Sequence, residues 1–495
     1  MNDLRFGPFF RLMRSFSARV ALAACVTLVS CSRIQEMGNA VAKRTSEDAA
    51  ATNGSAAPAS TSRDVAGPST VKAFPGAEGF GAAARGGRGG TICRVRTLAH
   101  DGPGSLQACF DASGPRTVVF DVSGVIEGPL EIKHGRLTVA GQTSPRGVTV
   151  KGGIVCDNVY DPNDCNDVIL RHLRLRNGSP DSLRLGGAHD VIVDHCSMAG
   201  AEDESIEISR SRNVTIQHSV IAEPRGDHYQ WGGVLINYST VEMPLENITI
   251  HHSVWNGVAG RLPEMTCEEN DDAKGKSNCS GHVLPIELSN NVLFDVSDPI
   301  WFNRCTGNNE GNDCPAGARN FSLRLNVVAN VMMRRSSADA DAPFAAPVFA
   351  HAGNAIYAND NQLFRGTARV AVAGKGNTAA PHPFPAVTYT PAAQLVATLA
   401  KTAGAWPRDR MDERLAAYLT RGIDTRPAAW RGGRGVEQGD AVLAPTAAPL
   451  PAIKDANGDG IPDDWSSNAC KDVGPNGYTP LECYLNELAD RRTPH

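Results

Sequence analysis

A short segment recurs in this chain at a fixed spacing, and it constrains the fold more than any other feature of the sequence. The copies NDVILRHLRL, HDVIVDHCSM, RNVTIQHSVI and ENITIHHSVW begin at residues 166, 189, 212 and 246. Each copy has an aliphatic marker at its third position: Val168, Val191, Val214 and Ile248. The first three copies are 23 residues apart, and an insertion of 11 residues precedes the fourth. Such a period indicates a solenoid, in which each repeat buries its apolar face against its neighbours.

The repeats consist of short alternating segments broken by Asn, Asp and Gly, without an apolar stripe of helical period. This pattern indicates β-strands. Stacked copies predict an all-β fold, a right-handed parallel β-helix with rungs about 4.8 Å apart. A β-propeller is less compatible, because its repeats run to about forty residues. Each copy also has a histidine four residues after the marker, and we interpret these as a structural ladder: His172, His195, His218 and His252.

The repeats place the β-helix domain at residues 71–335. Residues 336–450 are rich in alanine and proline and contain one helix-like segment, MDERLAAYL, so we expect an irregular extension with a short helix that packs on the β-helix. Residues 451–495 form a C-terminal segment with a cation-binding motif. Residues 31–70 are rich in small and polar residues without apolar periodicity, which predicts a flexible tether.

Residues 1–30 have the pattern of a secretory signal, with arginines before an apolar run, residues 20–29, that is too short to span a bilayer. The run ends in LVSC at residues 28–31, which resembles a bacterial lipobox and implies cleavage before Cys31 and lipid attachment to its thiol. With Ser32 rather than an acid next, the pattern is that of an outer-membrane lipoprotein of the cell envelope. A plain secretory signal with a chance cysteine is the alternative.

The formal net charge is −5 and the sequence pI is about 6.2. This charge balance indicates neither a basic surface for binding nucleic acid nor a polybasic segment for binding a membrane. We therefore expect a monomer that binds no nucleic acid and contacts a membrane only through a lipid anchor. An acidic substrate needs a local basic site.

Cysteine spacing indicates the compartment. Most of the cysteines form neighbouring pairs along the chain, namely Cys93/Cys109, Cys156/Cys165, Cys267/Cys279, Cys305/Cys314 and Cys470/Cys483. In an oxidising compartment these spacings predict short-range disulfides, with Cys196 left over. Metal binding is the competing interpretation, but no CxxC spacing occurs.

Acidic residues concentrate in the segment AEDESIEI between two repeat copies. Counting from the markers puts Asp181 one rung before Asp203 and Glu207, on one surface of adjacent rungs. Three carboxylates this close repel one another unless a cation lies between them, and an all-oxygen set favours Ca²⁺. The alternative is a solvated acidic turn, which is our interpretation of Glu202 and Glu204.

Two arginines reach the same corner by this count. Arg261 falls at the rung position of Asp181, and Arg225 lies close to it. A cation site flanked by arginines is electropositive within a net acidic protein. It suits a polyanion with a carboxylate on each unit.

Several of these blocks carry a family resemblance. DSLRLGGAHDVIVDHCS, DESIEI, VTIQHS and ITIHHSVWNGVAGRLP, in this order, together with the earlier AFPGAEGFGA and GGRGG, resemble the pectate lyases of polysaccharide lyase family one. The resemblance spans residues 71–330 and implies a right-handed parallel β-helix that cleaves polygalacturonate with Ca²⁺. It implies Asp181, Asp203 and Glu207 as calcium ligands and Arg261 as the catalytic base. Arg225 is one position from the family's substrate-binding lysine.

The implied reaction is β-elimination: Ca²⁺ acidifies the C5 proton of a uronate, Arg261 removes this proton, and a 4,5-unsaturated end forms. A guanidinium is a poor base at neutral pH, so an alkaline optimum is expected. Two departures from the family pattern concern substrate binding. Thr266 replaces the second arginine of RxPxxR, and Glu264 adds a negative charge beside Arg261.

A second cation motif is DANGDGIPDDW. Its oxygen-bearing residues Asp455, Asn457, Asp459 and Asp463 or Asp464 have the alternating spacing of a calcium loop, with a glycine at the turn but without the late glutamate. This predicts a structural Ca²⁺ site. A polar turn without an ion is the alternative.

Three other functions stay open from the sequence. A lyase for a different uronate polymer is the nearest, because the altered arginine region is where substrate is held. A non-catalytic surface protein that binds uronate polysaccharides is the second. A β-helix glycoside hydrolase needs a convergent pair of acids without metal, so calcium dependence and an unsaturated product separate it from a lyase.

Overall fold

The computed structural model describes residues 71–159, 164–225, 232–268, 275–296, 301–303, 321–336, 348–349, 352–372, 374–426, 454–466 and 477–494. The predicted signal, tether and lipidation site at Cys31 lie outside these residues.

Three sheets run along the molecule and form the right-handed parallel β-helix that the repeat predicts. Sheet A consists of Thr91–Val95, Arg116–Phe120, Leu137–Ala140, Asn166–Arg171, His189–Asp194, Arg212–Gln217, Glu246–His251, Val283–Ser289, Ser322–Val328 and Ala355–Asn359. Sheet B consists of Gly124–Glu127, Val148–Lys151, Arg174–Arg176, Ser197–Ala199, Val220–Ala222, Val254–Asn256, Val292–Phe294, Val331–Arg334, Gln362–Arg365 and Ala368–Val370. Sheet C consists of Leu130–Glu131, Ile154–Asp157, Leu183–Gly186, Ile206–Ser209, Val234–Asn237, Glu264–Thr266 and Trp301–Asn303. The described strand pairs are parallel except the last pair of sheet B, which closes antiparallel.

The repeat markers form one column of the core. Val168, Val191, Val214 and Ile248 pair in register in sheet A and are fully buried. Burying each such side chain contributes about 1.5–3 kcal/mol relative to leaving it in water. Because no single coil can cover these residues, the burial holds neighbouring coils together.

The four marker histidines form the predicted ladder. The ring centroids of His172 and His195, of His195 and His218, and of His218 and His252 lie 5.1, 4.8 and 5.0 Å apart, with interplanar angles of 15°, 9° and 27°. All four residues have positive φ, as the tight turn after each sheet A strand requires. Burial, with the added charge of His195, lowers the pKa of His172 and of His218 well below the usual range. The rings of His172 and His218 are therefore neutral at physiological pH, which agrees with the interpretation of a structural ladder.

The glycine-rich N-terminal segment lies flat across the outer face of sheet A. A Cβ at Gly81 would lie 2.2 Å from the carbonyl oxygen of Val191 and 2.7 Å from the amide nitrogen of Thr215, so only glycine fits. The Gly81 amide donates to Thr215 Oγ1 at 2.8 Å, and the Phe80 amide donates to Thr249 Oγ1 at 3.1 Å. The segment AFPGAEGFGA thus covers one face of the β-helix.

The parallel sheets continue past residue 335, the predicted end of the β-helix. Ala355–Asn359 pairs with sheet A and Gln362–Arg365 with sheet B, although neither strand carries the histidine of the repeat. Hydrogen bonding between coils needs only the alternating backbone pattern, so the loss of the side-chain signature does not end the sheets.

Helices cover parts of the surface. They are α1 (Leu106–Asp111), α2 (Ala392–Thr402), α3 (Arg410–Arg421) and α4 (Pro480–Arg492). Helix α3 contains the predicted MDERLAAYL segment, and α2 packs beside it on sheet B through an apolar cluster that includes Leu395, Leu415 and Phe294. In the described part of the chain no helix is long and apolar enough to cross a membrane.

Three predicted disulfides are present, Cys93–Cys109, Cys156–Cys165 and Cys267–Cys279. Cys196 is buried and free, as expected. Cys483 is disulfide-bonded. Three members of the other predicted pairs, Cys305, Cys314 and Cys470, lie outside the described residues.

Removing the Cys93–Cys109 disulfide is expected to destabilise the first coil. The bond links residues 16 apart, and a loop of this size contributes about 3 kcal/mol, chiefly by restricting the unfolded chain. The measurement is the free energy of urea unfolding for the Cys93→Ala/Cys109→Ala variant. Cys196→Ala, which removes a thiol without opening a loop, is the control. Equal stability of the double variant and the wild type would contradict this prediction.

Candidate functional site

The candidate site lies at the turns that lead into sheet C. The register of this sheet pairs Leu183 with Ile206, Ile206 with Val234, and Leu235 with Glu264. Counting back along the chain from these paired residues places Asp181, Glu204, Gly232 and Arg261 at equivalent positions on four successive coils. The expectation that Arg261 shares the rung position of Asp181 agrees with this register.

Carboxylates converge at this turn. Asp181, Asp203 and Glu204 each offer an oxygen within 4.8 Å of the others, and we call these three residues the acidic cluster. The Glu204 amide donates to Asp181 Oδ1 at 3.0 Å, which fixes that carboxylate against the next coil. Glu207 lies beside the cluster and its side chain is hydrogen-bonded to Asp181. All three predicted ligands are thus neighbours, and Glu204 joins them.

Burial shapes the charges of this group. Asp181, Glu204 and Glu207 are 5%, 4% and 6% exposed. Burial raises the pKa of Asp181 to about 7, and the charge of Asp203 adds to the rise. Burial also raises the pKa of Glu207 to about 7, against the opposing effect of the Arg184 guanidinium. Burial therefore disfavours the ionised form of both acids, and a cation placed among them would favour that form.

Arg261 lies among these acids. Its guanidinium forms ion pairs with Asp203, at 3.8 Å, and with Glu204. Its Nε donates to Glu264 Oε2 at 2.9 Å. The Arg261 backbone has φ of 56°, an uncommon conformation for a residue with a side chain. Arg261 is thus held by carboxylates from two different coils.

Arg225 lies at the edge of the site rather than in the acidic cluster. Its Nε donates to the Gly200 carbonyl at 2.7 Å, and its Nη2 pairs with Glu202 Oε1 at 3.2 Å. Glu202 is exposed, as expected for a solvated turn residue. The structure therefore places Arg225 beside the exposed acid of this segment.

Sequence reasoning missed two residues of the site. Glu204 was interpreted as solvated but is buried in the acidic cluster. Its position 23 residues after Asp181, one full repeat, was the signal that could have found it. Arg184 pairs in register with Glu207 and forms ion pairs with Glu207, at 3.4 Å, and with Asp157, at 3.0 Å. No motif in the sequence pointed to Arg184.

Two histidine-containing groups in the described residues also have metal-ligand atoms close together, His172–Asp194–His195 and His218–His251–His252. Each group contains two ladder histidines. In the first group the rings of His172 and His195 are nearly parallel, so their nitrogen lone pairs do not converge on a shared ion. In the second group the His251 ring stands at 72° to His218 and 85° to His252. His251 Nδ1 and His252 Nδ1 are instead hydrogen-bonded to each other at 2.9 Å.

The second cation motif forms a closed turn. Asp455 accepts hydrogen bonds from the amides of Asp459, at 3.1 Å, and Gly460, at 2.9 Å, and it also pairs with Arg94. Asp463 accepts from the Ala456 amide at 2.9 Å, and Asn457 donates to Asp459 at 2.8 Å. The side-chain oxygens of this loop thus accept hydrogen bonds from the backbone amides and side chains of the same loop.

Curated relatives of the chain are fungal. The sequence is 30% identical over 445 residues to the probable pectate lyase C of Neosartorya fischeri, which covers 84% of this chain and 93% of the relative. The probable pectate lyase C of Aspergillus fumigatus matches with the same identity and coverage. The chain belongs to the pectate lyase family. No protein-family model matches the sequence.

Solved structures of similar proteins include a pectate lyase from Bacillus sp. N165 in complex with trigalacturonate. It aligns with a TM-score of 0.45 and 13% identity over 66% of this chain and 98% of that one. The major cedar-pollen allergen jun a 1 aligns with a TM-score of 0.42 and 15% identity over 66% of this chain and 92% of its own. Membership of the family rests on the fungal relatives. As a pectate lyase, the protein is an enzyme of the lyase class.

Proposed function

We propose that this pectate lyase cleaves polygalacturonate by Ca²⁺-dependent β-elimination and releases 4,5-unsaturated oligogalacturonates. The observation that carries the proposal is the convergence of buried carboxylates beside Arg261 at one turn of the β-helix. The name of the fungal relatives, pectate lyase, supports an acidic polysaccharide as the substrate. We expect the enzyme to act as a monomer.

The donor set fits a hard divalent cation. Asp181, Asp203 and Glu207 are the proposed ligands, with Glu204 in reach, and all offer carboxylate oxygens. The guanidinium of Arg261 already lies against two of these acids, which shows that the site accommodates positive charge. The Ca²⁺ ion, when bound, draws charge from the uronate carboxylate and thereby makes the C5 proton more acidic.

Arg261 is the proposed base. In its neutral guanidine form it takes the C5 proton and becomes a guanidinium, the electron pair of the C–H bond forms the C4–C5 double bond, and the C4–oxygen bond breaks. The leaving oxygen then takes a proton from solvent. Arg225 is the proposed substrate-binding residue, because its guanidinium lies at the exposed edge of the site and matches a carboxylate. Thr266, which replaces the family's second arginine, offers no charge to the substrate.

Chelation of Ca²⁺ is expected to abolish the activity. Purified protein is incubated with polygalacturonate at alkaline pH, and the ultraviolet absorbance of the unsaturated uronate product is recorded with Ca²⁺ and with excess chelator. Restoring Ca²⁺ should restore the rate, because the carboxylates remain in place. An undiminished rate in chelator would rule out the proposed calcium role. The same assay on alginate tests the alternative function, a lyase that prefers a different uronate polymer.

A second, structural Ca²⁺ is proposed for the loop of Asp455, Asn457, Asp459 and Asp463. Support comes from the alternating spacing and from the position of Asp455, which is bonded by two loop amides. Binding would be seen as a rise in the melting temperature with Ca²⁺ that is smaller in Asp459→Asn than in the wild type.

An outer-membrane lipoprotein anchored at Cys31 is proposed from the LVSC segment. The disulfides support export to an oxidising compartment. Labelling of the expressed protein with a radioactive fatty acid tests the anchor. If the Cys31→Ser variant still carried the label, a lipid anchor at Cys31 would be contradicted. If the wild-type protein were secreted without label, the alternative, a plain secretory signal with a chance cysteine, would be favoured.

A further inference from the structure

Glu204 takes part in two interactions that compete for one carboxylate. It belongs to the acidic cluster with Asp181 and Asp203, and it also pairs with Arg261. Glu204 is 4% exposed, so water cannot replace either partner at low cost. A cation bound by the cluster and the guanidinium of Arg261 therefore need the same oxygens.

Arg261 has a second anchor that is independent of the cluster. Its Nε donates to Glu264 at 2.9 Å, and Glu264 lies on the strand Glu264–Thr266 with 6% exposure. Glu264 is not a member of the acidic cluster. If Glu204 turned away, Arg261 would lose one of its three acidic partners but would stay fixed by Glu264.

The register gives this arrangement a structural basis. Glu204 stands one coil after Asp181, and Arg261 stands two coils after Glu204 with Gly232 between them. Gly232 adds no side chain at the intervening coil, and the Glu204 carboxylate pairs directly with the guanidinium. Glu204 thus has the cluster on one side and Arg261 on the other.

We propose that Glu204 is a positioning residue that couples the cation site to Arg261. Its carboxylate pairs with Arg261 in the cation-free protein and turns to the cation when one binds, which leaves Arg261 held by Glu264 and open to the substrate on its other side. The proposal rests on the calcium site proposed above. It assigns a role to Glu204, which is not one of the predicted calcium ligands.

A double-mutant cycle on Ca²⁺ binding tests the coupling. Calcium affinity is measured by isothermal titration for the wild type, Arg261→Gln, Glu204→Gln and the double variant. Arg261→Gln is expected to tighten binding by about fivefold or more, a usual size for coupled sites, because the competing guanidinium is gone. In the Glu204→Gln background the same change is expected to alter affinity by less than about twofold, the scatter of independent changes.

Glu202→Gln is the matched control, since it removes an equal charge from the same segment but from an exposed acid. In that background Arg261→Gln should keep its full effect. Equal effects of Arg261→Gln in all backgrounds would show general repulsion and overturn the coupling. If Glu204→Gln binds too weakly for titration, Glu204→Asp, which withdraws the carboxylate by one methylene, takes its place in the cycle with the same two outcomes. Absence of any Ca²⁺ binding by the wild type would overturn the calcium site as well as the coupling.

Discussion

Replacing Arg261 with alanine is expected to lower the rate of unsaturated-product formation from polygalacturonate by about a hundredfold to ten-thousandfold, the usual contribution of a positioned base. The proposed role requires a nitrogen next to the C5 proton, and Arg261 forms ion pairs with two members of the acidic cluster. Arg184 is engaged by Asp157 and Glu207. It is therefore not expected to replace Arg261.

The measurement must separate chemistry from binding. Arg261→Ala should lower kcat while Ca²⁺ binding persists or tightens. Arg225→Ala is the comparison, because loss of a substrate contact is expected to raise KM with a smaller change in kcat. A variant at Arg261 with near wild-type kcat would show that the base lies elsewhere, even if the calcium dependence holds.

Replacing Arg176 with methionine is expected to destabilise the protein by about 3–5 kcal/mol, the cost of removing one partner from a buried ion pair. Arg176 is fully buried in sheet B and its Nη2 bonds Asp409 at 3.0 Å and Asp412 at 2.8 Å. Asp409 also caps helix α3 by accepting from the Asp412 amide. These ion pairs thus hold helix α3 against the β-helix, although Arg176 and Asp409 are 233 residues apart in the sequence.

The measurement is the free energy of unfolding in urea. Lys151→Met is the control, because Lys151 pairs with Glu127 at 3.2 Å where both side chains are partly or largely exposed, and such a pair contributes less than about 1 kcal/mol. Replacing Arg176 and Asp412 together with apolar residues should recover part of the loss, since Asp409 keeps buried Arg174 as a partner at 3.7 Å. A loss no larger than that of the control would contradict this account.

Other buried ion pairs fasten the same extension. Arg414 and Arg426 both reach Glu223 on the turn after a sheet B strand, and Arg426 also pairs with Asp295 at 3.6 Å. Burial outweighs the acids and lowers the pKa of Arg426. The alanine- and proline-rich composition of this region gave only an expectation of packing. The arginines and acids that fix its position are scattered over the chain and form no motif.

The period and alternation of the sequence determined the β-helix, its stacked markers, the histidine ladder and the short-range disulfides. These features depend on spacing within a coil and on the identical spacing in the next, so a linear count of residues is enough to place them. The same count placed Asp181 and Arg261 at one rung position. This count could not predict that Glu204 is buried, because the exposure of a turn residue depends on which side chains of the neighbouring coils pack against it.

The tertiary structure alone decided which charges meet. Glu204 is buried because Arg261, which lies two coils further along the β-helix, packs over it and pairs with it. Arg184 faces Glu207 because their strands are adjacent in sheet C. Arg176 meets Asp409 only after the extension folds back onto sheet B. Such contacts join residues far apart in the chain, and an ion pair depends on distance in space and on exclusion of water, neither of which is a property of sequence spacing.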